Sequence, residues 1–199
     1  MTFIRELEDA EATGPARRFF DEDVSKDGYV WNLTRVLAQR PEVLAAWRGL
    51  IGSIRGNMDL RRYELVTLAA ARALRASYCM LAHGSILTAK FFDADRVAAM
   101  ARDPSTAGLS PAEVAMMDFA AKVARQADAV SQADVDRLRG LGFSDLEVLD
   151  IALAAAARAF FTKVLDGLGV QPDAAYEKLE LALRQALTIG RPIAGGPGA

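Results

Sequence analysis

Apolar residues in this chain recur at three- and four-residue spacing and almost never alternate, which commits it to helices. Pro41 to Arg55 (PEVLAAWRGLIGSIR) sets Val43, Leu44, Trp47, Leu50, Ile51 and Ile54 on one face, the stripe an amphipathic helix buries. No window alternates β-branched or aromatic residues with polar ones between turn residues, as a half-buried strand would. Helix starts are also written in the sequence. Ser110-Pro111-Ala112-Glu113 and Ser144-Asp145-Leu146-Glu147 are capping boxes, in which Ser and Glu satisfy each other's backbone N–H groups. Pro111 takes the first helical position, where a missing N–H costs nothing. Ser131 is expected to cap a short helix ended by Gly140-Leu141-Gly142, and Pro172 to open a final helix through about Leu187. The fold class predicted is all-α, roughly eight to ten helices joined by short turns. One domain is expected over residues 1–189, followed by a loose Gly/Pro-rich tail over 190–199.

Composition narrows the function classes. The 199 residues are 52% hydrophobic with a formal net charge of -2, which excludes a mainly disordered chain. There is one Cys and one His, so neither a disulfide within the chain nor an ordinary zinc site is expected. An acidic sequence pI of about 5.5 and the lack of a basic stripe argue against a nucleic-acid partner. The N-terminal residues lack an apolar signal region, and the apolar stretch Ile151 to Ala157 is bounded by Asp150 and Arg158. A membrane span needs about 20 predominantly apolar residues. A cytoplasmic location, with a reduced thiol, is therefore expected. The scattered Met residues read as core filler, and no Gly-rich phosphate loop or Ser–His–Asp arrangement occurs, so no cofactor is expected. Glu64 with His83 lacks a third ligand, so no metal is expected either. Phe19-Phe20, Phe91-Phe92 and Phe160-Phe161 suit a core better than a substrate pocket.

One internal similarity stands out. A shift of 83 residues lays Glu64 to Ala76 over Glu147 to Ala159, with Glu64/Glu147, Arg75/Arg158 and Gly84/Gly167 coinciding. A duplicated helical unit is the expected cause. In that frame Thr162 and Asp166 fall where Cys79 and His83 stand.

Cys79 and His83 are the chemically informative pair. They lie four apart in Ser77-Tyr78-Cys79-Met80-Leu81-Ala82-His83, and on a helix such residues stack on one face. The helix before them is expected to break near Arg75 to Ser77, with Ser77 capping the next. Cys79 would then occupy a first turn, where unpaired N–H groups and the helix dipole favour a thiolate. A neighbouring imidazole could carry the proton. The competing reading makes Cys79 a small core residue and His83 partly exposed. Glu64 lies 15 residues before Cys79, about 22 Å away on one continuous helix, so contact needs a chain reversal. Glu64 then either joins the pair as a buried proton-transfer group or stays exposed beside Arg61 and Arg62.

These residues resemble the AhpD-like / carboxymuconolactone decarboxylase family. Its thiol peroxidase branch carries the pattern E-x11-C-x-x-C-x3-H, and Glu64, Cys79 and His83 keep that spacing with Ala76 in place of the first Cys. Tyr78 stands where some members carry a further His. The resemblance extends over about residues 15 to 185, through Tyr29-Val30-Trp31-Asn32-Leu33, Arg40-Pro41-Glu42-Val43-Leu44, Gly108-Leu109-Ser110 and Gly142-Phe143-Ser144-Asp145. It implies a duplicated all-α fold and a homo-oligomer (dimer, trimer or hexamer). It further implies a catalytic set of peroxidatic Cys79, His83 as base or relay and Glu64 as orienting acid. With Ala76 in the resolving position, a peroxide substrate would leave a sulfenic acid that an external thiol must reduce. Two other readings stay open. One is decarboxylase-like proton transfer on a carbon acid or lactone by His83 and Glu64; the other is a non-catalytic helical oligomer with a degenerate site.

Overall fold

The computed structural model describes residues 2–195, and among them the chain forms ten α-helices and no strand. In order these are α1 (Gly14–Asp27), α2 (Asn32–Leu37), α3 (Pro41–Gly56), α4 (Leu60–Ala73), α5 (Ser77–Lys90), α6 (Ala94–Arg102), α7 (Pro111–Gln126), α8 (Gln132–Gly140), α9 (Asp145–Gly167) and α10 (Leu181–Leu187). No helix among the described residues is long and apolar enough to cross a membrane.

Both predicted capping boxes form, with Ser110 Oγ 3.2 Å from the Glu113 N–H and Ser144 Oγ 3.3 Å from the Glu147 N–H. Ser131 starts α8 in a third box, closed by Asp134. The last helix differs from expectation. Asp173 turns its carboxylate inward to Tyr78 and to the Asn32 N–H, the next residues form a short 3-10 turn (Ala174–Lys178), and α10 begins only after Glu180. A side chain drawn into the interior thus delays the helix that Pro172 promised.

The bundle is built around α4, whose residues Tyr63 to Ala71 are all buried. A helix apolar on every side belongs at the centre of a bundle, and α5, α7 and α9 pack around it. Helices α1 to α3 add a smaller cluster around Phe19, Phe20, Val30 and Leu44, joined to the main core through Leu37 and Trp47. The stripe on α3 is only half covered: Leu44 and Ile54 are buried, whereas Val43 and Leu50 face solvent.

The chain reverses between α4 and α5. Arg75 has φ 58°, a left-handed conformation that costs a non-glycine residue roughly 1 kcal/mol. The turn is held from outside by the described part of the expected tail. Gly190 N–H donates to Ser77 Oγ at 2.7 Å, Ala194 N–H to the Pro172 carbonyl at 2.8 Å, and Ile193 is buried. The segment is therefore tied to the bundle through Gly190, Ile193 and Ala194, and 196–199 lie outside the described residues. Ser77 is not the cap the sequence suggested; Ala76 occupies that position, and the Ser77 hydroxyl serves Gly190 instead.

The 83-residue self-similarity joins unlike paths, because it overlays the α4–α5 hairpin on the single helix α9. Its practical outcome is a meeting of the aligned positions. Thr162, the counterpart of Cys79, packs directly on it.

Candidate active site

The hairpin brings Glu64 of α4 beside His83 of α5. His83 Nδ1 lies 2.6 Å from Glu64 Oε2, and both side chains are buried. This settles the position of Glu64, which turns inward; Arg61 pairs with Glu113 at 2.7 Å and Arg62 with Glu147 at 2.5 Å. Burial, followed by the nearby positive charge of Arg158, holds the His83 pKa below its ordinary value, against the pull of Glu64. A neutral imidazole that donates from Nδ1 to a carboxylate keeps its Nε2 lone pair for accepting a proton.

Cys79 sits in the first turn of α5 and is 2% exposed. Its sulfur lies 3.4 Å from Thr162 Oγ1 and 3.7 Å from Arg158 Nη1. Arg158 is itself buried, donates from Nη2 to Tyr63 Oη at 3.3 Å, and lies over the Phe161 ring at 5.7 Å. Burial works against its charge, but Cys79 and Tyr63 more than offset this and leave its pKa raised. Its Nε finds no acceptor among the described residues.

The three expected residues fall in two parts. Glu64 and His83 form one pair and Cys79 belongs to another; among the described residues no hydrogen bond joins the sulfur to either partner of the first. Arg158 links the parts, since its charge acts on His83 and its Nη1 reaches the sulfur. Arg158, Thr162 and Tyr63 were missed by sequence reasoning. A signal for Arg158 was present, because it is the charge that ends the apolar stretch from Ile151 to Ala157. No group of three or more His, Cys, Asp or Glu side chains fit to hold a metal occurs among the described residues. Ala76, where the family pattern has its first Cys, is buried at the N-cap of α5, three residues before Cys79.

Comparison with known proteins follows the same outline. Residues 41–122 match the carboxymuconolactone decarboxylase family. A crystal structure from Ralstonia eutropha, described as an alkylhydroperoxidase AhpD core and peroxidase-related protein, is 27% identical over 88% of this chain and 94% of its own, with a TM-score of 0.79. A peroxidase-related protein from Silicibacter sp. shares the fold at 23% identity, over 87% of this chain and 94% of its own, with a TM-score of 0.76. A debrominase in complex with 2,3,4-tribromopyrrole shares it at 18% identity, over 94% and 96%, with a TM-score of 0.72. No curated protein matches the chain. The matched segment, which contains Glu64, Cys79 and His83, is similar to the carboxymuconolactone decarboxylase family, and the helical bundle that carries it is like that of the AhpD-core structure from Ralstonia eutropha.

Proposed function

We propose that this protein is a peroxidase-related enzyme that reduces hydroperoxides through Cys79 alone, with an external thiol as reductant. The observation that carries the reading is the buried Arg158 guanidinium 3.7 Å from the Cys79 sulfur. Burying a charge is costly unless it is paired, and a sulfur anion is the partner this arrangement offers. The Cys79 thiolate attacks the terminal peroxide oxygen, the O–O bond breaks, and the leaving alkoxide takes a proton to become an alcohol. The sulfur gains the oxygen as a sulfenic acid. A first thiol condenses with it to a mixed disulfide and releases water, and a second thiol displaces Cys79 and leaves as the oxidised disulfide. His83, held by Glu64, is placed to carry the protons, and the spare Arg158 Nε–H suits a bound oxygen. Because the sulfur is so deeply enclosed, a small thiol suits the second half of the cycle better than a protein reductant.

The test is trapping by dimedone. Treatment with hydrogen peroxide or an alkyl hydroperoxide is expected to label Cys79, and a small thiol to sustain turnover. An accessible Cys79 that stays unlabelled under excess peroxide would sink the reading.

A second reading has its own observation, the 2.6 Å Glu64–His83 contact, a general base of the kind that proton transfer on a lactone or carbon acid requires. It predicts activity that survives Cys79→Ser and is lost in His83→Ala. Self-association is a further expectation, favoured by the solvent-facing stripe Leu146, Leu149, Leu153 and Phe160 along α9; sedimentation velocity measures it.

A further inference from the structure

Beside the site, on the adjacent face of α5, lies a cavity of about 590 Å³ that neither Cys79 nor His83 lines. Its walls include Trp31, Tyr78, Tyr176 and Ile86. Trp31 and Tyr176 are tilted rings 5.8 Å apart, and Tyr78 meets Tyr176 edge-on at 6.4 Å. Rings set at such angles offer both faces and edges to a further ring placed among them.

Lys26 and Arg48 stand among the lining residues with Asp23 and Asp27, two cations against two carboxylates, and Ser85 donates its hydroxyl to the Leu81 carbonyl at 2.7 Å. Asp23 and Asp27 stand at the mouth with their carboxylates engaged, Asp23 by Arg48 at 3.2 Å and Asp27 by the Trp31 indole N–H at 2.8 Å. The Tyr78 hydroxyl is taken by Asp173. Thr34 is different: it is 0% exposed, it lines the cavity, and its Oγ1 has no hydrogen-bond partner among the described residues. A buried hydroxyl without a partner is costly, and partners for such groups are the rule. A concave, mostly apolar pocket with a few polar groups is the usual form of a small-molecule site, and this open-mouthed one falls within the usual range of roughly 300–1,000 Å³.

We propose that this cavity binds a small neutral aromatic molecule carrying one hydroxyl or N–H, its ring held among Trp31, Tyr78 and Tyr176 and its polar group on Thr34 Oγ1. Neutrality follows from the balance of Asp23 and Asp27 against Lys26 and Arg48 in the lining, aromaticity from the walls, and the single polar group from the one buried lining hydroxyl without a partner among the described residues. The assignment does not depend on peroxide chemistry at Cys79, because binding here can be measured without turnover.

Phenol and toluene, equal in shape and different in one hydroxyl, are the probes, followed by titration calorimetry on the full chain. Both are expected to bind the wild type saturably at one site. Thr34→Val is expected to weaken phenol about five- to ten-fold, the worth of one hydrogen bond, and to leave toluene within about two-fold. Its melting temperature should not fall, since the hydroxyl removed has no partner in the protein. Ala82→Phe, which places a ring in the cavity from its half-buried wall, is expected to abolish both. Failure of both probes to bind the wild type would overturn the proposal. So would an unchanged phenol affinity in Thr34→Val, or unchanged binding in a folded Ala82→Phe variant.

Discussion

His83 and Glu64 meet at 2.6 Å across a hairpin whose two arms are consecutive in the chain. The contact is local in topology, yet it is buried on every side, so removing one partner is costly.

His83→Ala leaves the Glu64 carboxylate buried without its partner, and should destabilise the fold by about 3 kcal/mol. Adding Glu64→Gln should recover part of that loss, because an uncharged amide tolerates burial better. Urea unfolding of the single and double variants gives the coupling; strict additivity would mean that the pair contributes nothing.

Stability should depend on pH through two opposed groups. His83, its pKa lowered by burial and by Arg158, binds fewer protons folded than unfolded. Its contribution therefore makes stability rise with pH, and it is lost as pH falls through the ordinary histidine value of about 6.5. Asp173, pushed up by burial to about 6 from 3.8, binds more protons folded than unfolded in that window. Its contribution is present at low pH and is lost as pH rises through about 6, amounting to at most about 3 kcal/mol. Asp173→Asn should therefore make stability climb more steeply between about pH 4 and 6. Melting curves across that range test this, and an unaltered slope would rule the Asp173 assignment out.

Arg158→Met should separate chemistry from folding. Once the guanidinium is gone the Cys79 sulfur can hold its proton as a neutral thiol, so no unpaired charge is left buried and the melting temperature should hold. The rate of Cys79 alkylation by iodoacetamide at pH 7 should fall at least about ten-fold, since the cation beside the sulfur is gone. A rate equal to wild type would remove Arg158 from the proposed mechanism.

Ala76→Cys should give the chain the C-x-x-C spacing of the pattern it resembles. Residues three apart at a helix start have Cα atoms about 5 Å from each other, within disulfide range. Peroxide should then consume both thiols, and mass spectrometry should show a loss of two hydrogens where wild type gains an oxygen.

Gly190→Ala should be among the costliest substitutions of a glycine in the fold. A Cβ there would overlap the Arg75 carbonyl oxygen, which is backbone and cannot swing away. Gly84→Ala meets Leu187 Cδ1 at 2.6 Å, a contact that a side chain can partly relieve. Paired melting curves should rank Gly190→Ala below Gly84→Ala.

The parts of this molecule legible in its sequence were those set by short-range physics. The serine–glutamate caps of α7 and α9 formed as read, because a capping box closes within four residues. The helix break before Cys79 and the four-residue spacing to His83 were also local. Arg158 and Thr162 reach the sulfur from 79 and 83 residues away, and no local pattern states which helix packs on which. Ser77 shows the limit of local reading. Its place at a helix start suits a cap, but its hydroxyl goes to a backbone N–H 113 residues away. Similarly, Gly and Pro in the tail suggested looseness, although the absence of a Cβ at Gly190 is what lets the segment dock.

That docking also gives the site an order of assembly during synthesis. The Gly190 N–H that completes the start of the Cys79 helix is made 111 residues after Cys79 itself. A nascent chain halted in α9 already contains Glu64, Cys79, His83 and Arg158, but the Ser77 hydroxyl and the left-handed Arg75 turn are still open to water. The ribosome must therefore release residue 190 before the thiol helix is sealed, and until then the cysteine belongs to an unfinished hairpin.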